Sequence, residues 1–435
     1  MNCPLAFRPR IAILRTVLAV LPAILAARAF AWGPGHRCIT EGALAVLPAW
    51  EKELLGKELD LLGRQHCVIP DEVYAKKEIR KYAMLDSKPD VFYLVELHLP
   101  ATPPENYEIL RFFLGKAVGE FKAGRVDEGA RYLGTLVHAV EDWGCPAHSV
   151  PGDNMFTFTK QLLPPNEHYR HLPMHGPIED AVFDVKLGDY RPKLLGLTVD
   201  EAAFNLLHAV QQSTIHARAQ VIPIMQALYA ADNDAAAAAQ QKAGVYDAAV
   251  VADAIHTALS LARSRFEPQD AAALREVDLS PRAPLEAPNL FMPQTAFFGK
   301  PYFGYPIRGV CLCQGTNAVA IRIRTADNAI KSIEDAIGVG TTSKLTYLLP
   351  PGVYDRFEAT VGLHADLGRG GNVIFEVKAA DGKTLAKAQV SGTQPAQQLV
   401  VPLAGQTRIQ LVATSGGPDA SFNHAVWAQP RLVKK

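Results

Sequence analysis

The stretch His138-Ala139-Val140-Glu141-Asp142-Trp143-Gly144-Cys145-Pro146-Ala147-His148 constrains this chain more than any other. Leu133, Leu136 and Val137 supply a buried stripe at helical spacing just before it, and Gly144 and Pro146 close the helix. His138 and Asp142 are four residues apart, so on that helix they stand one above the other on one face. His148 follows once Pro146 has turned the chain. Two imidazoles and a carboxylate, two of them fixed by one helical turn, are what a tight zinc site requires. The plainer alternative is a buried His–Asp hydrogen bond beside an unrelated surface histidine.

A second pair of the same kind stands at His175 and Glu179, again four apart. His168 and His171 have no acid four residues later, so the spacing selects His175. Upstream lie His36, Asp71 in Ile69-Pro70-Asp71, and His98 at the end of Val95-Glu96-Leu97-His98. Singly each has an ordinary explanation as an exposed charge, a cap or a core histidine; as a set they read as a metal constellation.

Residues 1–31 read as a secretory signal peptide. Arg8 and Arg10 precede an apolar run from Ile11 to Ala27, broken by Arg15 and Pro22, and Ala29-Phe30-Ala31 is a small-x-small cleavage site. The run is too short and too interrupted for a membrane anchor, and no other apolar stretch reads as long enough to span. Cleavage after Ala31 makes Trp32 the new amino terminus of a secreted or periplasmic protein. The mature chain then carries 40 basic and 44 acidic side chains, net −4, which argues against broad electrostatic binding of nucleic acid. Five cysteines remain, an odd number, with a bridge plausible between two of Cys38, Cys67 and Cys145 in an oxidising compartment.

The 435-residue chain divides by pattern. Residues 32–270 read as an all-α bundle: Thr40–Leu62 with Pro48 as a kink, Tyr107–Phe121, Val126–Asp142, Leu197–Tyr229 and Val245–Phe266. The Ala235–Ala239 run is a helix former or a solvated turn. Polar loops span Pro100–Asn106 and Ser149–Met174. Residues 271–293, with Pro281, Pro284 and Pro288, read as a linker. Residues 294–435 alternate in short strands, Ala318–Arg324, Phe357–Leu363, Val373–Lys378, Gln398–Pro402 and Thr407–Ala413, separated by turns such as Pro351-Gly352 and Asp381-Gly382. That is the pattern of an antiparallel β-sandwich.

Tyr132-Leu133-Gly134 followed by His138, Asp142, Pro146 and His148 resembles the central motif of the zinc-dependent phospholipase C and single-strand-specific nuclease superfamily, all-helical enzymes holding three zinc ions. His175 with Glu179 is similar to that family's next pair, and Glu at the last position leans toward the phospholipase branch. Trp32-Gly33-Pro34-Gly35-His36 resembles the mature amino terminus, closer here to the nuclease branch and one residue shorter. The resemblance covers residues 32–265 and implies the metal ligands Trp32, His36, Asp71, His98, His138, Asp142, His148, His175 and Glu179. One zinc takes Asp71, His98, His138 and Asp142; a second takes His148, His175 and Glu179; a third takes the Trp32 amine and carbonyl, His36 and Asp142. Asp86 or Asp90 are alternatives to Asp71. Asp71 and Asp142 are the catalytic carboxylates, Asp142 bridging two metals and Asp71 orienting or deprotonating the attacking water.

Gly338–Ser343, Tyr354–Leu363, Val373–Val377 and Asn423–Leu432 resemble the carbohydrate-binding module family NPCBM. That resemblance implies a glycan site with Trp427, His424 and Tyr347 as candidates, although a core role is the leading explanation for these aromatics. The expectation is a secreted zinc-dependent phosphodiester hydrolase of the phospholipase C type, acting on phospholipid or another phosphodiester and carrying a glycan-binding module. The rivals are a single-strand-specific nuclease or nucleotidase on the same zinc site, the one reading with a nucleic-acid partner, and a non-catalytic glycan-binding protein with structural metals.

Overall fold

The computed structural model describes residues 33–88, 94–100, 102–149, 178, 182–285, 307–312 and 318–435. The first part is helical and the last is antiparallel β. Among the described residues the α-helices are α1 (Gly33–Ala45), α2 (Ala49–Leu55), α3 (Glu58–Arg64), α4 (Ile69–Glu72), α5 (Pro103–Lys122), α6 (Val126–Trp143), α7 (Val199–Tyr229), α8 (Asn233–Arg263) and α9 (Pro268–Ala273).

Pro48 separates α1 from α2 and does not kink one helix; it sits at the N-cap of α2, where its missing N–H costs nothing. Helix α5 begins at Pro103, inside the stretch read as a loop. Two prolines suit its first turn, and Thr102 with Glu105 forms a capping box, the Thr102 N–H donating to Glu105 Oε2 at 3.1 Å. The Ala235–Ala239 run opens α8, capped by Asp232, whose carboxylate accepts from the Ala235 N–H at 3.0 Å. By length and composition α8 is apolar enough to cross a bilayer, contrary to the sequence reading, yet 78% of its most apolar window is buried inside the protein. It is a core helix.

Helix α6 is the axis of the helical part. From Leu133 to Trp143 every residue is buried, against α5, α8, α1 and the turn His66–Val68. That turn reaches the helix because Gly134 has no side chain; a Cβ there would lie 2.4 Å from the His66 carbonyl oxygen. The close approach delivers the next carbonyl, that of Cys67, to the ring of His138 one helical turn further on.

The β part is a two-sheet sandwich. One sheet runs β12 (Gln397–Pro402), β9 (Arg356–Leu363), β14 (Ala425–Val433), β7 (Ala336–Val339), β2 (Ile307–Arg308). The other runs β11 (Thr384–Ser391), β10 (Asn372–Ala379), β13 (Arg408–Ser415), β8 (Ser343–Leu348), and two short pairs, β3 (Val310–Leu312) with β4 (Ala318–Ala320) and β5 (Arg322–Arg324) with β6 (Ile330–Ser332), stand apart from both. Along β10 burial alternates strictly, with Val373, Phe375, Val377 and Ala379 inward. Phe375 meets Trp427 of the opposite sheet edge to face, ring centres 5.3 Å apart. The sequence read as a linker is partly a strand: β1 (Glu276–Asp278) pairs with the end of β14, Val277 opposite Leu432. A register shift after Ala428, with Gln429 at φ +50°, frees that end of β14 from β7 and opens the edge β1 takes.

Replacing Gly134 with Ala is expected to destabilise the protein by about 1–3 kcal/mol through overpacking against the 66–68 turn. Gly119→Ala, on the exposed face of α5 where a new Cβ meets nothing within 4 Å, is expected to stabilise by about 0.5–1 kcal/mol. Urea unfolding midpoints followed by circular dichroism check both; equal effects contradict the packing account.

Candidate metal centre

Six of the sequence-predicted ligands lie in the described residues, and all six converge on one buried cluster. Helix α6 contributes His138 and Asp142, α1 contributes His36, α4 contributes Asp71, and the turns after Leu97 and Pro146 contribute His98 and His148. The Asp142 carboxylate lies at the centre. Its Oδ2 is 2.9 Å from His98 Nδ1 and 3.1 Å from His138 Nε2, while its Oδ1 is 3.3 Å from His36 Nε2 and 4.0 Å from His148 Nδ1. Asp71 Oδ1 stands 3.7 Å from His98 Nδ1 and 3.8 Å from His138 Nε2. Asp86 is exposed and pairs with Lys116 at 3.0 Å, so of the alternatives described Asp71 is the one in the cluster. Trp32, His175, Glu179 and Asp90 lie outside the described residues.

Each ring is held from behind. His138 Nδ1 is 2.8 Å from the Cys67 carbonyl oxygen, so that nitrogen carries the proton and Nε2 faces the cluster. His148 Nδ1 lies 2.5 Å from the His98 carbonyl oxygen. His36 Nδ1 is 2.7 Å from Glu141 Oε2, and the other oxygen of Glu141 accepts from Thr40 Oγ1 at 2.5 Å. The sequence reading missed Glu141 and Thr40. The available signal was an acid beside Asp142 on a helix too deeply buried to leave a carboxylate idle.

The electrostatics ask for a cation. Burial alone would lower the His36 pKa, but the carboxylates of Asp142 and Glu141 together hold it well above its ordinary value. Burial likewise opposes ionisation of Asp142, yet the surrounding imidazoles keep it well below the usual carboxylate range. Burial raises Asp71, and raises Glu141 to about 7. His36 Nε2, Asp71 Oδ2 and Asp142 Oδ1 are buried with no hydrogen bond, which is costly unless another ligand completes them. His36, Asp71 and His138 bring one atom each within 4.8 Å of one another, and so do His98, His138 and Asp142. This donor set of imidazole nitrogen and carboxylate oxygen fits a divalent transition metal.

Cysteine takes no part in these two groups. The Cys67 thiol is turned to the Gly63 carbonyl at 3.3 Å, and burial pushes its pKa well up. Cys38, Cys67 and Cys145 are thiols, so the bridge the sequence suggested between two of them does not form.

In the β part, two of the glycan candidates are corrected. Trp427 is 0% and Tyr347 2% exposed, so neither presents a ring face to a sugar. Trp427 fills the space between the sheets. His424 is half-buried beside Phe422, an aromatic the sequence reading missed, which is 50% exposed among the turn residues that follow Pro418.

The chain thus joins a helical part with a buried His/Asp centre to an antiparallel β part. Residues 325–433 match the NPCBM/NEW2 domain family. No curated protein matches the chain. Among solved structures it is similar to the CBM51-2, in complex with GlcNAc, and INT domains from Clostridium perfringens ZmpB, at 26% identity and a TM-score of 0.25 over 26% of this chain; it spans 25% of that structure's length. It is similar to CBM51 from Clostridium perfringens GH95 in complex with methyl-galactose, at 23% identity and a TM-score of 0.30, over 36% of this chain and 99% of that one. A third likeness, to alpha toxin from Clostridium absonum, covers 93% of this chain and 99% of that one at 10% identity and a TM-score of 0.33. With TM-scores this low, the NPCBM match and the cluster's own side chains carry the functional reading.

Glu141→Gln keeps the size of the side chain while removing the charge that orients His36. It is expected to weaken divalent-metal binding about 10- to 100-fold, as losses behind a metal-bound histidine do. Competition with a chromogenic chelator measures this, and unchanged affinity contradicts the role given to Glu141.

Proposed function

We propose that the protein is an exported zinc-dependent phosphodiester hydrolase of the phospholipase C type with an appended glycan-binding module. The observation that carries the catalytic reading is the convergence of His36, Asp71, His98, His138, Asp142 and His148, from separate segments, on one buried carboxylate-centred cluster. In this reading Asp71, His98, His138 and Asp142 hold one zinc, His36 and Asp142 hold another with the Trp32 amino terminus, and His148 belongs to a third with His175 and Glu179. Zinc would supply Lewis acidity toward the phosphate and an activated water.

The chain's own residues do the rest. Asp142 directs one oxygen to His98 and His138 and the other to His36 and His148, which suits it to bridge two ions. Asp71, with Oδ2 buried and lacking a hydrogen bond, is in this reading the carboxylate that would orient a water or take its proton. Glu141 and the Cys67 and His98 carbonyls fix the imidazole rings, so the site is organised before substrate arrives. Export with cleavage after Ala31 belongs to the same reading, since only that cut frees the Trp32 amine.

For the β domain the NPCBM match supports glycan binding, and the exposed ring of Phe422 beside His424 takes the stacking role that Trp427 and Tyr347, both buried, do not. A nuclease reading has one observation of its own: Tyr74, three residues past Asp71 in the chain, is 56% exposed, a ring on which a base could stack.

The deciding experiment is chelation followed by zinc restoration, assayed on phosphatidylcholine vesicles and on single-stranded DNA. Zinc-restored release of a phosphorylated headgroup, with little DNA cleavage, is expected. Asp142→Ala is expected to abolish it together with most of the bound metal. Activity on DNA alone favours the nuclease, and activity on neither contradicts the hydrolase reading for these substrates.

A further inference from the structure

Helix α7 is fastened to the end of α6 by three side chains. Ser213 Oγ donates to Asp247 Oδ1 at 2.6 Å in space that a Cβ on Gly144 would fill. Thr214 Oγ1 donates to the Trp143 carbonyl at 2.8 Å. One turn further along, Arg218 Nε donates to the Ser149 carbonyl at 2.8 Å. These bonds set α7 against the turn that carries His148, and they put Arg218 beside the residue that follows that imidazole.

Among the described residues the Nε bond is the only hydrogen bond Arg218 makes, and none of their carboxylates pairs with it. The side chain is exposed, so its two terminal nitrogens stand as an open fork. Ile215 and Ile222, three residues before Arg218 and four after, share its face of α7 and are 56% and 52% exposed. Leu99, directly after His98, is exposed as well, and the His98 carbonyl lies 2.5 Å from His148 Nδ1. A single exposed apolar side chain needs no explanation. Here several of them flank one unpaired cation next to a turn that supplies a metal-ligand candidate.

We infer that this face of α7 holds the substrate, a phospholipid: Arg218 takes the non-reacting oxygens of its phosphodiester, and Ile215 and Ile222 take the apolar body beside it. The inference rests on the hydrolase reading above. A guanidinium anchored through Nε presents its terminal N–H groups in a fixed geometry that matches two phosphate oxygens. Arg218 transfers no proton; it meets the charge that those oxygens gain as the ester bond breaks. The apolar flanks separate the substrate classes. A nucleic acid strand carries a row of phosphates and calls for several cations along its path, whereas a phospholipid carries one diester beside hydrocarbon. One guanidinium between two isoleucines matches the second pattern.

The test measures kcat/KM of the full-length, zinc-loaded protein on phosphatidylcholine vesicles and on the soluble diester bis(p-nitrophenyl) phosphate, together with the zinc bound per chain. Arg218→Gln is expected to lose about 100-fold on both substrates, as removal of one preorganised donor does, with bound zinc unchanged, and Arg218→Lys is expected to recover part of that loss. Ile215→Ser combined with Ile222→Ser is expected to lower the ratio of vesicle to soluble-diester kcat/KM about tenfold. Unaltered kcat/KM in Arg218→Gln, loss of zinc in step with activity, or an unchanged ratio in the isoleucine variant overturns the proposal. If the wild type hydrolyses neither substrate, the hydrolase reading fails on its own, and co-sedimentation with the vesicles decides for this face. Affinity that falls about tenfold in the isoleucine variant supports an apolar lipid contact; equal affinity overturns it.

Discussion

The structure depends on one carboxylate. Asp142 is fully buried on the most buried of the described helices, with four imidazoles within 4.0 Å of its two oxygens. A charge in that position is tolerated only when it is surrounded by partners that are themselves held in place. The side-chain-free surface at Gly134 admits the 66–68 turn; the turn presents the Cys67 carbonyl to His138; Glu141 and Thr40 fix His36 on the other side. Packing and polarity are therefore one problem here, and α5, α8 and α1 are arranged around its solution.

Much of this was legible in the chain. The four-residue spacing of His138 and Asp142 specifies a shared helical face whatever the tertiary structure, and the break at Pro146 returns His148 to the same place. Asp71 and His98 were harder, because their placement rests on turns with no periodicity to read; burial and the Lys116 pair of Asp86 separate Asp71 from that rival. Glu141 was illegible as a partner of His36, since the two are 105 residues apart and nothing local links them.

The β part shows the complementary limit. Period-two alternation identified its strands, as along β10, but alternation says that a side chain faces in only when one face is wet. Ala425 to Ala428 of β14 are buried on both faces, covered by the second sheet on one side and by neighbouring segments on the other, so Trp427 gave no sign of its orientation. The 271–293 segment misled in the opposite sense. Its prolines suggest a tether, yet three residues pair with β14 and Arg282 reaches α7, making the segment part of both halves.

Zinc K-edge absorption on the purified, zinc-loaded protein tests the central claim most directly. A trapped Asp142 among imidazoles predicts a first shell of nitrogen and oxygen alone at about 2.0–2.2 Å, with the multiple scattering of imidazole rings. A sulfur shell at about 2.3 Å, or a spectrum of fully hydrated zinc, contradicts it.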